Sequence, residues 1–328
     1  MVKFGIIGTN WITEHFINAA SKVDSFSLAA VYSRTEEKAD EFARKFGAPN
    51  IYTDIEEFCK SDQFDAVYIA SPNSMHQEHA TLCMQNGKHV LVEKSIASNT
   101  KEVREMIDTA KQSGVLLMEA LKTTFLPNFQ AVQENLHKIG EVRRYFASYC
   151  QYSSRYDAYK EGTVLNAFKP ELSNGSLMDI GVYCIYPMVA LFGKPNSLKA
   201  NSLMLDSGVD GQGSVIFDYD SLNGAVMYSK ISNSHIPTEI QGEKGCILLD
   251  NINTPTRVEI KYNDGTTEDI SRPQEEQAMY YEAKAFIELI EQGKTESDVN
   301  SFERTYTTAA LLEETRNQIG LAFPADEK

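Results

Sequence analysis

The chain has 328 residues, enough for two domains of ordinary size that each bury a core of their own. It is 42% hydrophobic and 23% charged, and Lys+Arg 31 against Asp+Glu 46 leaves a net charge of −15. Such a balance repels nucleic acid and anionic lipid, so neither is an expected partner, and an anionic cofactor has to be held by local dipoles. The scattered cysteines Cys59, Cys83, Cys150, Cys184 and Cys246 include no C-x-x-C pair and fit reduced thiols, with no disulfide framework or zinc site expected. A strand-like run opens the chain with no charged leader before it, and no apolar stretch reads as a bilayer span; a cytoplasmic protein is expected.

In the first third, strand patterns at 3–7, 28–32, 51–52, 66–70, 89–92 and 115–118 alternate with amphipathic segments that finish at Gly47, Gly87 and Gly114. Asp54-x-x-Glu57 has the form of a capping box. Regular strand–helix alternation predicts a parallel doubly wound sheet over residues 1–120. From 121 to 328 the rhythm changes. A helix near 128–137 precedes a strand at 142–151, and a long polar connection leads to an apolar helix at 177–192 closed by Gly193. Strand-like runs follow at 213–218, 224–231, 239–241, 246–249 and 257–262, with hairpin signals between them, and helices at 275–291 and 301–318 end the chain. This half predicts an α+β domain with a largely antiparallel sheet, so the fold class is α/β followed by α+β.

After the first strand comes Gly8-Thr9-Asn10-Trp11-Ile12-Thr13, in the place of a dinucleotide fingerprint but with only its first glycine. Asn10 tolerates the left-handed backbone of a tight turn, although its side chain is expected to crowd a pyrophosphate. The second strand ends in Ser33-Arg34 where NAD enzymes usually carry an acid, which favours a 2′-phosphate and hence NADP, with NAD possible. Ser33-x-x-Glu36 also reads as a capping box for the next helix. The fourth strand runs into Ser71-Pro72-Asn73-Ser74-Met75-His76, small and polar residues suited to pass close to a dinucleotide. His76 and His79 lack a third metal ligand, so His76 is expected on a helix N-terminal turn lining the nicotinamide side, and no metal is expected.

The fifth strand, buried by its apolar run, ends in Glu93-Lys94, at the sheet edge where open α/β sheets bind ligands. In the later apolar helix Asp179 and Tyr183 stand at i,i+4 on one face, and Pro187 predicts a kink. A core tyrosine bonded to a structural aspartate is the plain alternative for that pair.

Taken together the pattern resembles the Gfo/Idh/MocA family, the oxidoreductases related to glucose–fructose oxidoreductase and inositol dehydrogenase. The resemblance covers essentially the whole chain and rests on Gly5-Ile6-Ile7-Gly8-Thr9, Tyr68-Ile69-Ala70-Ser71-Pro72-Asn73-Ser74, Val92-Glu93-Lys94, Met118-Glu119-Ala120 and Gly175-Ser176-Leu177-Met178-Asp179-Ile180-Gly181-Val182-Tyr183. It implies a nicotinamide-binding Rossmann domain, with Gly8, Thr9, Asn10, Trp11, Ile12, Ser33, Arg34, Ser71, Pro72, Asn73, His76, Glu93 and Lys94 around the cofactor. It also implies a second domain whose open sheet mediates homo-oligomerisation as a dimer or tetramer. Tyr183, where inositol-dehydrogenase-like members carry histidine, looks like the dihydrodiol dehydrogenase, xylose dehydrogenase and glucose–fructose oxidoreductase branch. The implied chemistry is hydride transfer between the nicotinamide and a CH–OH carbon of a sugar, polyol or dihydrodiol. Tyr183 is then general acid/base, Lys94 its electrostatic partner and Asp179 an acceptor for a substrate hydroxyl. Asn10, Thr13, Ser95 and Asn174 depart from the family pattern, and Ser95 in place of proline takes away a rigid constraint and the cis bond that proline favours. These departures motivate a second reading, a non-catalytic dinucleotide-sensing regulator of the same fold.

Overall fold

The structure is a computed structural model and describes residues Met1–Glu327. It divides into two compact units, Met1–Lys122 with Glu275–Tyr306, and Thr123–Gln274 with the described residues from Thr307 on. The sequence reading put the division at residue 120; here the chain leaves the first unit after Lys122 and returns to it from Glu275 to Tyr306.

The first unit alternates β1 (Val2–Ile7), α1 (Trp11–Ala20), β2 (Phe26–Tyr32), α2 (Glu36–Phe46), β3 (Asn50–Tyr52), α3 (Ile55–Lys60), β4 (Ala66–Ile69), α4 (His76–Gln85), β5 (His89–Glu93), α5 (Thr100–Ser113) and β6 (Leu117–Ala120). All strand pairs are parallel, in the order β3-β2-β1-β4-β5-β6. That order reverses between β1 and β4, so the ligand crevice of such a sheet opens beyond the carboxyl ends of these two strands. β4 is buried throughout, and so is β5 after its first residue, which is why both read as continuous apolar runs. Helices α2 and α5 end at left-handed glycines, Gly47 and Gly114, and α3 starts on Asp54, whose carboxylate accepts from the Glu57 amide. The Cys59 and Cys83 thiols, distant in sequence, meet in this unit's core 2.7 Å apart.

In the second unit, α6 (Pro127–Asn135), β7 (Val142–Cys150) and the short α7 (Tyr156–Lys160) lead to α8 (Val182–Phe192). Seven further strands complete a sheet with β7: β8 (Ser197–Met204), β9 (Asp210–Asp218), β10 (Asn223–Ser229), β11 (Thr238–Gly242), β12 (Gly245–Leu249), β13 (Val258–Tyr262) and β14 (Thr267–Asp269). Their order is β14-β13-β12-β11-β7-β10-β9-β8, antiparallel except where β10 lies parallel to β7. Strand β8, a mostly exposed run of mixed polar and apolar residues, was not anticipated from the sequence; its outer position in the sheet removes the need for an apolar run. The stretch Pro170–Phe192 is, contrary to the expectation from sequence, apolar and long enough to cross a membrane by composition alone, but it is mostly buried as a core helix is.

Two last helices, α9 (Met279–Glu291) and α10 (Phe302–Ile319), close the chain. α9 packs against α1 and presents Met279, Glu282, Ala283, Phe286 and Ile287 inward, an i,i+3/i+4 stripe in which one core position is a carboxylic acid.

Within the second unit the entry to α8 is held by one interaction. The carboxylate of Asp210, fully buried, accepts from the Ser176 and Leu177 amides at 3.1 and 2.7 Å. Gly175 lies under it with φ +148, and a Cβ there would stand 2.2 Å from Asp210 Oδ1. Asn174 takes no part in this contact and instead donates to the Asn166 carbonyl at 2.9 Å. We expect Gly175→Ala to lose about 3 kcal/mol, from a backbone alanine disfavours and from two amides stripped of their acceptor. Thermal denaturation should show a fall of roughly 6–12 °C; an unchanged midpoint refutes this account of the turn.

Candidate active site

The cofactor end of the first unit is built on Gly8, where β1 turns into α1. Its φ is +105, and a Cβ would lie 2.6 Å from the Ala70 carbonyl oxygen, so bare backbone is required there. Asn10 does not use the left-handed conformation it tolerates: its φ is −112 and ψ 175, the extended geometry of an N-cap. The side chain turns back into the protein, accepting from the Ile12 and Thr13 amides at 3.1 and 3.2 Å and donating to the Ala70 carbonyl at 2.8 Å. It therefore does not project as a bulky group in the way its replacement of glycine suggested. It does occupy two of the helix's first amides, leaving Trp11, itself 59% exposed, with the amide that opens α1.

At the end of β2 the capping-box reading fails. Helix α2 begins at Glu36 behind Thr35, which makes no side-chain cap bond. Ser33 and Arg34 are left at the strand end, half-buried and exposed, and neither side chain has a hydrogen bond or ion pair among the described residues. At the end of β4, Ser71 and Pro72 are partly exposed, but Asn73 is only 8% and His76 0% exposed. His76 is thus a tether and not a wall of the crevice. Its Nε2 lies 2.8 Å from the Ser71 carbonyl and Nδ1 3.0 Å from the Ser95 carbonyl. Burial lowers its pKa to about 4, against the raising effect of those carbonyls, so the ring is neutral at pH 7 and donates to one carbonyl at a time. His79 is likewise held to about 4 by burial, and its Nδ1 meets Ser71 Oγ at 3.0 Å.

The strand-end charges are more deeply set than the sequence suggested. Glu93 is 7% exposed; its Oε1 accepts from the Tyr68 hydroxyl at 2.6 Å and its Oε2 from the Lys94 amide at 3.3 Å. Tyr68 is itself clamped by Phe16, ring on ring at 3.8 Å. Burial pushes Glu93 up, opposed by the Lys94 charge. The peptide bond after Lys94 is cis although serine follows, so the cis geometry that the missing proline put in doubt is present. Glu119, on β6, accepts from the Ile96 amide at 3.0 Å and from Thr305, and burial raises it to about 7. Asn300 donates to the Glu119 and Leu121 carbonyls at 2.9 and 3.2 Å, pinning the end of β6.

In the second unit Asp179 and Tyr183 are both partly exposed, but they stand on a π-helical turn (Leu177–Gly181) running into α8, not on one regular helix. Tyr149 packs edge-on against Tyr183 with ring centroids 5.8 Å apart, and its hydroxyl receives a bond from Asn253 at 2.8 Å. Asp179 is ion-paired to Lys230, which the sequence reading missed. Lys230 is 3% exposed, follows β10 directly and lies over the Phe168 ring. Its signal was the one that drew attention to Lys94, a charge at the end of a buried strand. Arg155 and Tyr156, in the connection between β7 and α8, lie at α7, where Tyr156 stacks with Tyr159. Lys94 belongs to the first unit, and Asp179 and Tyr183 to the second.

Comparison with known proteins bears on the family and the fold. Residues 2–121 match the model of an oxidoreductase family with an NAD-binding Rossmann fold, and residues 129–248 match the GFO/IDH/MocA C-terminal domain. The chain is 59% identical over 327 residues to scyllo-inositol 2-dehydrogenase (NADP(+)) IolU of Bacillus subtilis, covering 100% of both. It is 31% identical over 336 residues to trans-1,2-dihydrobenzene-1,2-diol dehydrogenase of Xenopus laevis, covering 98% of this chain and 99% of the other. Among solved structures, the aldose-aldose oxidoreductase of Caulobacter crescentus superimposes with a TM-score of 0.86 at 19% identity over 97% of each chain, a likeness of fold alone. The chain belongs to the Gfo/Idh/MocA family of oxidoreductases.

Proposed function

We propose that this protein is an NADP-preferring dehydrogenase that oxidises a ring hydroxyl of a polyol, with an inositol as the first candidate. Full-length identity of 59% to a scyllo-inositol 2-dehydrogenase (NADP(+)) is the observation that carries this reading. The residues present fit a dinucleotide: Gly8 keeps its backbone bare, and Ser33 and Arg34 stand uncommitted where a 2′-phosphate would need a hydroxyl and a guanidinium. When bound, the nicotinamide accepts the hydride from the alcohol carbon.

The chain's own residues have to manage the proton and the orientation. Tyr183 takes the proton of the reacting hydroxyl. A free phenol, with a pKa of about 10, is a poor base at neutral pH, and the ammonium of Lys94 is assigned to favour its ionised form. Asp179, held by Lys230, accepts from a neighbouring hydroxyl of the substrate. A ring of hydroxyls suits such a set, because each polar group that binds one hydroxyl rejects analogues that lack it. We further propose that the open face of the second unit's sheet pairs with a second copy of the chain. Leu203, Ile216 and Met227, on the adjacent strands β8, β9 and β10, are 47%, 52% and 44% exposed there, an apolar patch of the kind that marks protein interfaces.

Stopped-flow and steady-state assays with NADP and a panel of inositols, aldoses and dihydrodiols test the reading directly. We expect Tyr183→Phe and Lys94→Met each to lower kcat by about 10²–10⁴-fold with cofactor affinity retained; near wild-type turnover in either removes that residue from the chemistry. Arg34→Ala should weaken NADPH binding by roughly ten- to a hundredfold and leave NADH unchanged, and tighter wild-type binding of NADH contradicts the cofactor preference. Cofactor binding with no turnover on any substrate favours the regulator. Light scattering should give a multiple of the chain mass for the wild type and a smaller species for Ile216→Asp; a wild-type monomer dismisses the interface.

A further inference from the structure

Three tyrosines stand on one face of the second unit's sheet, and the reaction described above assigns a role to none of them. Tyr145 and Tyr149 lie on β7, and Tyr228 is the register partner of Tyr149 on the parallel strand β10. Residues four apart on a strand share a face, and so do partners across a ladder. Each of the three meets a different residue of the helical segment that carries Tyr183. Tyr145 donates to the Cys184 carbonyl at 2.9 Å. Tyr228 lies under Gly181, where a Cβ would stand 3.2 Å from its ring. Tyr149 meets Tyr183 itself, edge-on, with the ring planes at 79° and the centroids 5.8 Å apart.

Tyr145 and Tyr228 are fully buried, and packing accounts for them. Tyr149 is only partly buried, and its hydroxyl is held from two sides: it receives a bond from the Asn253 side chain at 2.8 Å and donates to Gln151 Oε1 at 3.0 Å. Asn253 belongs to the connection between β12 and β13, which is itself pinned. Its amide donates to Asn251 Oδ1 at 2.9 Å, and its carbonyl accepts from the Thr123 hydroxyl at 2.8 Å. A ring that only filled space would need no such anchorage, since phenylalanine has the same apolar body. The single proton of the Tyr149 hydroxyl is committed to Gln151, so what this residue brings to Tyr183 is its ring.

We propose that Tyr149 is a positioning residue: anchored through Asn253 and Gln151, its ring holds that of Tyr183 at the angle from which the phenol takes the proton of the reacting hydroxyl. This role rests on the one assigned to Tyr183 above. The backbone around Tyr183 is irregular on both sides, with a π-helical turn before it and, after it, Pro187, which has no amide to give the helix. Ring contacts therefore carry more of the orientation than they would on a regular helix. A reacting group misplaced by about 1 Å costs on the order of a hundredfold in rate, so such a contact is felt in turnover and not in binding.

The test compares wild type with Tyr149→Leu, Tyr149→Phe and Asn253→Ala in the full-length enzyme with NADP and the polyol it oxidises, with rates normalised to bound NADPH. Tyr149→Leu removes the ring and should lower kcat about tenfold or more while the KM of the polyol stays within about twofold. Tyr149→Phe and Asn253→Ala keep the ring and loosen its anchor, and each should lower kcat by about two- to fivefold. A ring that merely filled the core would change the melting temperature and leave kcat per folded molecule alone. Wild-type kcat in any of the three overturns the proposal, as does a loss confined to KM, and the remaining variants decide if one does not fold. An independent readout needs no turnover. In the cofactor-free protein labelled with 3-fluorotyrosine, the fluorine resonance that Tyr183→Phe removes should shift in Tyr149→Leu and in Asn253→Ala, and a resonance that stays put also overturns the proposal. If Tyr183→Phe keeps its turnover, the Tyr183 assignment has failed and the role of Tyr149 goes with it. If Tyr183→Phe is inactive while Tyr149→Leu turns over as the wild type does, the positioning alone has failed.

Discussion

The hydrogen bond from the Tyr68 hydroxyl to Glu93 is the contact on which the active end of the first unit depends. A parallel sheet covered on both faces excludes water, so an acid at a strand end must find its compensation inside the protein. Tyr68 supplies it from the neighbouring strand β4, and Tyr68 is fixed by its stack on Phe16 of α1. The same carboxylate receives the Lys94 amide, so the backbone bearing the lysine is tied through one acid to the centre of the core. His76 adds a second tie by meeting the Ser95 carbonyl. The backbone at Lys94 is thereby tied on both sides.

The second unit solves a similar problem with the opposite charge. Lys230, 3% exposed at the end of β10, is compensated by Asp179, and Asp210 is buried entirely to hold the amides that open the helical segment carrying Asp179. Burial raises Asp210 to about 6 even against those amides, so at neutral pH it is the anion that accepts from them. The sign follows from the shift: a carboxyl raised from its unfolded value of 3.8 to about 6 in the folded protein costs stability as pH rises through that window, a cost already fully incurred at neutral pH and partly offset by the two amides. In both units, then, a buried charge holds the backbone next to a residue assigned to the chemistry.

The fold was legible in the sequence: continuous apolar strands separated by glycine-capped helices announce the doubly wound sheet, and Glu93 and Lys94 stand where its fifth strand ends. What stayed hidden depends on contacts between residues far apart in the chain. Asn10 reads as a glycine substitute until the Ala70 carbonyl is seen to take its side chain. His76 reads as a cleft residue because helical spacing says nothing about which way a histidine at a helix start turns. Glu282 lies in a stripe whose periodicity identifies α9 correctly, and a single acid in such a stripe looks like a surface residue at the margin of the apolar face. The return of residues 275–306 to the first unit was beyond reach for the same reason, since a helix pattern does not say which core receives it.

The net charge of −15 bears on how an anionic cofactor is held at all. Overall attraction is absent, and Asn10 uses two amides that a helix start would otherwise offer to a phosphate. On the proposed reading what remains is short-ranged: the Trp11 amide, and at the far strand end a guanidinium whose partners are not other side chains. Glu36 and Glu37 follow Arg34 at the start of α2, where the helix dipole accommodates their charge, and that lessens their competition for the guanidinium. An acidic chain gains nothing from long-range steering of an anion, so on the proposed reading the choice between the two dinucleotides falls on contacts at Ser33 and Arg34.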